Sequence, residues 1–233
     1  RLWDYSLAEL RANKFRVVLI DHRGCGQSSK DFADMGINSI AGDLSELVNY
    51  LGLTRVVLNG WSLGGAVVVE AARRLGDTCA GLVLTCGATP AYLQKPDYPH
   101  GGTEEALAGT LAAMNADRIN FLAGLAQGVC ATEVSQEQIH WMWRIFTEAS
   151  PMAAQTLGEL GPLDQRDILA QLSMPILSFV GAYDAVVDPA ICRSVKVINP
   201  AARLVEMADS GHAPFIDETA KYNSKLVAFC KEC

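Results

Sequence analysis

The chain has 233 residues, half of them hydrophobic and 19% charged, with a formal net charge of -7. That length suits one α/β domain with a substantial core, and an acidic chain has no electrostatic reason to bind nucleic acid or an anionic membrane. No stretch reaches the roughly 18 apolar residues needed to cross a bilayer, and Arg1-Leu2-Trp3-Asp4-Tyr5 is not followed by the apolar core of a signal peptide.

From the N-terminus, Arg16-Val17-Val18-Leu19-Ile20 is the first apolar run. A continuous run, unlike an alternating one, predicts a strand covered on both faces. Asp21-His22-Arg23-Gly24-Cys25-Gly26-Gln27-Ser28 follows. It has the look of a phosphate loop but lacks G-x-G-x-x-G spacing and a following P-loop lysine. A structural turn is expected, with His22 and Arg23 in hydrogen bonds. A helix is predicted over about 38–51, with Ile40, Leu44, Leu47, Val48 and Leu51 on one face. Arg55-Val56-Val57-Leu58 is the second predicted strand.

The next segment, Asn59-Gly60-Trp61-Ser62-Leu63-Gly64-Gly65, matches G-x-S-x-G between a β-rich run and an apolar helical pattern reaching Leu75. This is the nucleophile elbow, a sharp strand-to-helix turn with serine at its apex. Glycines relieve crowding in such a strained backbone. The helix N-terminus favours developing negative charge, so the Leu63 N–H is the expected oxyanion donor. The bland alternative is an ordinary glycine-rich turn, and the strand and helix on either side weigh against it.

Gly81-Leu82-Val83-Leu84 is a third predicted strand, after which the alternation of strand and helix lapses. Pro90, Pro96, Pro99, Gly101 and Gly102 mark a long loop, and helices are predicted at 104–115, 118–128 and 136–149. Residues 88–172 therefore read as a helical cap inserted into a core formed by 1–87 and 173–233. One face of such a cap commonly lines a substrate pocket.

Pro175-Ile176-Leu177-Ser178-Phe179-Val180 is the next strand, running into Gly181-Ala182-Tyr183-Asp184 and then Asp188-Pro189. A serine hydroxyl needs a base to take its proton, and the base needs an acid to orient it. Asp184 stands in the turn where that acid belongs. Asp188 is the rival, but the proline after it suits a helix cap. A last strand, Ala202-Arg203-Leu204-Val205, leads to Ser210-Gly211-His212-Ala213-Pro214-Phe215. Of the four histidines, His100 and His140 lie in the cap and His22 precedes the serine. His212 sits in a loop at the carboxyl ends of the strands, where α/β sheets keep their sites. Serial strand–helix–strand units predict a mostly parallel sheet flanked by helices.

The cysteines, Cys25, Cys79, Cys86, Cys130, Cys192, Cys230 and Cys233, are odd in number and scattered. A disulfide framework is not expected, and a reducing, cytoplasmic setting is. The terminal Cys230-Lys231-Glu232-Cys233 lacks both the following helix of a redox motif and the second ligand pair of a zinc site. No metal or cofactor is called for.

The ordered motifs resemble the α/β-hydrolase superfamily over essentially the whole chain. Gly60-Trp61-Ser62-Leu63-Gly64-Gly65 and Gly211-His212-Ala213-Pro214-Phe215-Ile216 are most similar to the pimeloyl-acyl-carrier-protein methyl ester esterases of biotin synthesis. So are Leu163-Asp164-Gln165-Arg166, Ser173-Met174-Pro175 and the cap segment starting Phe121-Leu122-Ala123. The resemblance implies a Ser62–His212–Asp184 triad, Leu63 as oxyanion donor, and Trp61 and Phe121 near an acyl chain. It implies a substrate ester, either small or linked to acyl carrier protein. That family meets its acidic carrier with cap arginines; here the matching stretch offers Arg118, with Ala116 and Asn120 where basic residues are expected and Arg144 nearby. The family also carries strands upstream, one ending in a His-Gly loop that supplies another oxyanion N–H. The chain starts with Arg rather than Met, and further N-terminal strands are expected before it. Without them an unfilled gap exposes a sheet edge and apolar surface.

The expected activity is carboxylic-ester hydrolysis through an acyl-enzyme, without a cofactor. The same triad opens lactones, cleaves thioesters or hydrolyses C–C bonds, and a non-catalytic ligand-binding protein is the competing class. A dehalogenase would carry Asp where this chain has Ser62. Oligomeric state has no signature in the sequence.

Overall fold

The computed structural model describes residues 1–233. In chain order its elements begin with α1 (Asp4–Ala12) and α2 (Ile37–Tyr50), then β1 (Val56–Trp61), α3 (Leu63–Leu75) and β2 (Cys79–Thr85). A helical block follows: α4 (Glu104–Ala116), α5 (Arg118–Gly128), α6 (Gln136–Thr147), α7 (Ala153–Gly158) and α8 (Arg166–Gln171). The chain then returns to β3 (Ile176–Gly181), α9 (Pro189–Ile198), β4 (Arg203–Met207), α10 (Pro214–Asp217) and α11 (Thr219–Glu232).

The four strands pair in parallel in the order β1-β2-β3-β4. Parallel pairing requires a crossover between successive strands. Here α3, the helical block and α9 supply them. The central strands β2 and β3 are buried nearly throughout because both of their faces are covered, whereas the edge strands β1 and β4 are only partly buried. Leu82 and Leu84 of β2 and Ile176 and Val180 of β3 pack with α2, α3, α8 and α9. Val83, Leu177 and Phe179 point the other way, into a cluster with Phe215, Tyr222, Leu226 and Phe229.

Local chemistry sets the helix starts. Thr103 caps α4, Asp117 caps α5, and Ser135 with Gln138 forms a capping box at α6. The helical block reaches the second cluster through Ala126, Val129 and Met142. It also touches the loop before α10, because Val129 C=O accepts the Ala213 N–H at 2.9 Å. No helix is long and apolar enough to cross a membrane.

The run Arg16–Ile20 departs from expectation. It is extended but joins no sheet, and Val18, Leu19 and Ile20 are 43%, 41% and 36% exposed. β1 is consequently an edge strand, paired only with β2. A groove of about 880 Å³ separates the two segments, with Phe15–Ile20 on one wall and Val56–Trp61 on the other. Leu44, Leu47 and Val48 of α2 and Leu51 just after it line it, as do Leu10 and Leu226. Strand-forming residues become a strand only when a neighbour takes their backbone groups. Across the groove Arg16–Ile20 has none. The loop after it is the expected turn: Gln27 N–H donates to Asp21 Oδ2 at 2.9 Å, and Arg23 forms a two-point bond with Asp43 at 2.7 and 2.6 Å. His22 contributes its carbonyl to Cys25 N–H, while its half-buried imidazole lines the groove, where burial lowers its pKa.

Candidate active site

Ser62 stands between β1 and α3 with φ 56° and ψ -128°. Only Lys14 and Cys86 share positive φ among non-glycine residues. Such a backbone costs on the order of 1–3 kcal/mol and persists only where its surroundings enforce it. Those surroundings are hydrogen bonds: Ser62 N–H donates to Thr85 C=O at 3.1 Å, and Ser62 C=O accepts from Gly65 N–H at 2.8 Å and Ala88 N–H at 2.9 Å. The crowding falls at Gly60 and Gly65. A Cβ at Gly60 would collide with the Gly64 carbonyl, and one at Gly65 would lie 2.7 Å from Gly87 Cα. Gly64, by contrast, faces open space. The second glycine of G-x-S-x-G is thus not demanded by packing. Leu63 is the first residue of α3, where a helix leaves its amides without an intrahelical acceptor.

Asp184 and His212 are brought together in the interior. His212 Nδ1 lies 2.8 Å from Asp184 Oδ2, and both side chains are buried. Asp184 Oδ1 accepts from Val186 N–H at 2.8 Å and Val187 N–H at 2.9 Å. The carboxylate is therefore held at both oxygens. Its loop approaches the histidine loop closely, since a Cβ at Gly181 would collide with the Gly211 carbonyl. Asp188 is engaged elsewhere. Its Oδ1 caps α9 through Ala190 N–H at 2.9 Å, and its Oδ2 takes Gly101 N–H at 3.1 Å.

The link from the serine turn to the histidine loop runs through Trp61. Its indole N–H donates to the His212 carbonyl at 2.6 Å, and the two rings lie 5.0 Å apart. Trp61 also packs against Phe146 of α6 and Phe215 of α10. The Ser62 hydroxyl makes no hydrogen bond to His212. Catalytic hydrogen bonds often tighten only once substrate is bound. Phe121 lies half-buried on α5.

The remaining histidines take no part in this cluster. His100 stacks edge-on with Tyr98 at 4.9 Å, and His140 is exposed on α6. Arg118 is turned inward, its guanidinium donating to the carbonyls of Thr147 and Ala149. Asn120 bonds to Asp117, and Arg144 is exposed.

Several residues of the site carry no local signature in the sequence. Asp217 ties three segments together, accepting from Gly211 N–H at 2.8 Å and from the Ala131 and Thr132 amides at 3.0 Å each. Tyr222 bonds Thr85 at 2.9 Å and Asn59 at 3.0 Å beneath the elbow. Cys86 is buried with Asp184 and His212; one donor atom from each lies within 4.8 Å of the others. Sulfur, nitrogen and oxygen donors are a set zinc accepts. Here His212 and Asp184 are already bonded to each other and Asp184 to two amides, so the group is a hydrogen-bonded cluster. A strand end followed by Thr-Cys-Gly does not announce any of this.

Comparison with known proteins fits this architecture. A family model described as the α/β hydrolase fold matches residues 1–219. An AB hydrolase superfamily protein, YisY of Bacillus subtilis, is 30% identical over 231 residues, spanning 98% of this chain and 86% of that protein. A pimeloyl-[acyl-carrier protein] methyl ester esterase of Sodalis glossinidius is 28% identical, over 98% of this chain and 88% of that protein. Among solved structures, an esterase from Exiguobacterium antarcticum superposes with a TM-score of 0.95 at 26% identity, covering 99% of this chain and 87% of that one. The chain belongs to the α/β-hydrolase fold family.

Proposed function

We propose that the protein is a carboxylic-ester hydrolase in which Ser62 is the nucleophile, His212 the general base and Asp184 the acid that orients it. The observation that carries this reading is the buried 2.8 Å His212–Asp184 bond, joined through Trp61 to the strained turn that presents Ser62. In the first step Ser62 Oγ attacks the ester carbonyl while His212 Nε2 takes its proton. Asp184, bonded at Nδ1, stabilises the imidazolium. The Leu63 N–H, free at the start of α3, meets the developing oxyanion. Collapse of the tetrahedral intermediate breaks the ester C–O bond, and His212 protonates the departing alcohol. Water, activated by the same imidazole, then releases the acid and regenerates Ser62.

Free small esters fit the cap better than carrier-linked ones. Arg118 is half-buried and spends Nη2 on two backbone carbonyls, and Ala116 and Asn120 add no charge, which leaves Arg144 as the exposed arginine of this region. The acyl chain would lie along Trp61, with Phe121 on the cap side. Removal of the methyl group from a pimeloyl ester on acyl carrier protein is the second substrate class, suggested by the similarity to the Sodalis glossinidius esterase.

The test is hydrolysis of p-nitrophenyl esters of graded chain length by this chain and by Ser62→Ala. Turnover that prefers short chains and disappears in the variant supports the reading. Equal rates for the two proteins refute it. Pimeloyl methyl ester, free and carrier-linked, then separates the substrate classes. A carrier-linked ester that turns over faster, with the advantage lost at high salt, reverses the preference stated here.

A further inference from the structure

The turn after β2 touches all three loops that carry the proposed triad. Thr85 C=O holds the Ser62 amide, and Ala88 N–H holds the Ser62 carbonyl. Cys86 N–H donates to Phe179 C=O at 3.1 Å, on the strand that leads to Asp184. Cys86 itself has φ 44°, a conformation that a side-chain-bearing residue keeps only under constraint. Its fully buried sulfur lies 3.8 Å from Gly211 C=O, beside the base, and within 4.8 Å of both an Asp184 oxygen and a His212 nitrogen.

The thiol directs its one proton to the Gly211 carbonyl, and an Asp184 carboxylate oxygen lies within 4.8 Å of the sulfur as the competing acceptor. Burial, with Cys192 and Asp184 close by, pushes Cys86 far above the ordinary thiol range. It therefore stays a neutral S–H and never becomes a second anion beside the carboxylate. The other titratable groups facing the carboxylate behave alike. Tyr92, whose hydroxyl donates to Val186 C=O at 3.1 Å, is pushed upward by burial and then by Asp184. Cys192 on α9 is raised for the same reasons, against a smaller opposing effect from Arg193; Asp188 adds to the rise. Asp217 faces the histidine loop from the far side through Gly211 N–H.

We propose that Cys86 is a positioning residue whose buried thiol, set between Asp184 and Gly211, holds the acid loop against the base loop and draws part of the Asp184 charge away from His212. This rests on the Ser62–His212–Asp184 reading. A donor on the carboxylate competes with the imidazole for its lone pairs, so removing it strengthens the hold of Asp184 on imidazolium. It also loosens the geometry of the pair.

Cys86→Ala and Cys86→Ser are compared with the unaltered chain and with Ser62→Ala across the pH range in which imidazole titrates. In Cys86→Ala, kcat falls about fivefold with KM unchanged, and the acid limb of kcat/KM moves up by about half a pH unit. In Cys86→Ser, a hydroxyl donor restores kcat to within about twofold and returns the limb to its original position or below it. The proton shared by His212 and Asp184, read by NMR without turnover, moves downfield in the alanine variant and back in the serine variant. An unmoved acid limb and proton resonance overturn the proposal, whether or not the variants lose thermal stability. So does failure of serine to rescue alanine. Activity persisting in Ser62→Ala would instead strike down the triad reading, so the two failures are distinguishable.

Discussion

The two flanks of Ser62 are built differently. On one side, β2, β3 and β4 form a continuous sheet whose strand ends carry the Thr85–Ala88 turn, the Asp184 loop and the His212 loop. The proposed acid and base meet there through the His212 Nδ1–Asp184 bond, and the Val186 and Val187 amides hold the other carboxylate oxygen. On the other side, β1 faces a groove, and Arg16–Ile20 beyond it exposes apolar side chains to water. The proposed acid and base thus rest on loops between hydrogen-bonded strands. The flank beside the serine has only side-chain walls. Catalytic competence and mechanical stability should therefore respond to substitutions very differently on the two sides.

The largest contrast is chemical. Asp184→Asn keeps the shape of the buried pair but removes the charge and favours the wrong imidazole tautomer, so kcat falls on the order of 10⁴-fold. Steady-state kinetics on a p-nitrophenyl ester checks it; a loss under tenfold would mean that Asp184 is not the acid. Asp188→Asn, by comparison, leaves kcat within about threefold, because that carboxylate caps α9.

Next come the packing effects. Phe179→Ala, in the fully buried centre of β3, destabilises the fold by about 3–5 kcal/mol. Leu19→Thr on the open flank changes stability by no more than about 0.5 kcal/mol. Urea unfolding of both variants reads this directly, and equal losses would erase the distinction between flanks. Within the elbow, Gly60→Ala forces a Cβ into the Gly64 carbonyl and should cost about 3 kcal/mol or more. Gly64→Ala, with open space before it, stays within about 1 kcal/mol and can gain from reduced unfolded-chain freedom. Thermal melts of this pair test whether crowding or motif membership decides which glycine is required.

The smallest effect is a single hydroxyl. Tyr222→Phe removes the acceptor of the Asn59 amide and one of the two bonds of Thr85, which still donates to Asn59 Oδ1 at 2.9 Å, at a cost of about 1–2 kcal/mol. Calorimetry that finds no change would mean that the Asn59 amide finds another acceptor.

Much of this molecule is legible in the chain itself. The four strands of the sheet begin and end close to the apolar runs that predict them; for β2 and β3 the reason is burial on both faces between turn residues. Asp184 and Asp188 are separable by Pro189, which marks a helix start. The run Arg16–Ile20 reads like the others and fails as a strand, since pairing is a property of the neighbour and not of the run. Cys86, Asp217 and Tyr222 are illegible for a related reason. Their partners lie far away in sequence, and nothing local distinguishes a thiol beside a carboxylate from one in an apolar core. Gly64 errs the other way: the motif contains it, while the space around it does not require it.

In the proposed mechanism Ser62 is activated by His212, whose imidazole is held by Asp184. Reaction with an alkyl fluorophosphonate tests it most directly, because the serine oxygen displaces fluoride and leaves a covalent mark that survives peptide mapping. One adduct is expected, on Ser62, absent from Ser62→Ala and formed at least about 100-fold more slowly in His212→Ala. A folded chain that forms no adduct at Ser62, or one that labels as fast without His212 as with it, would rule out Ser62 activation by His212.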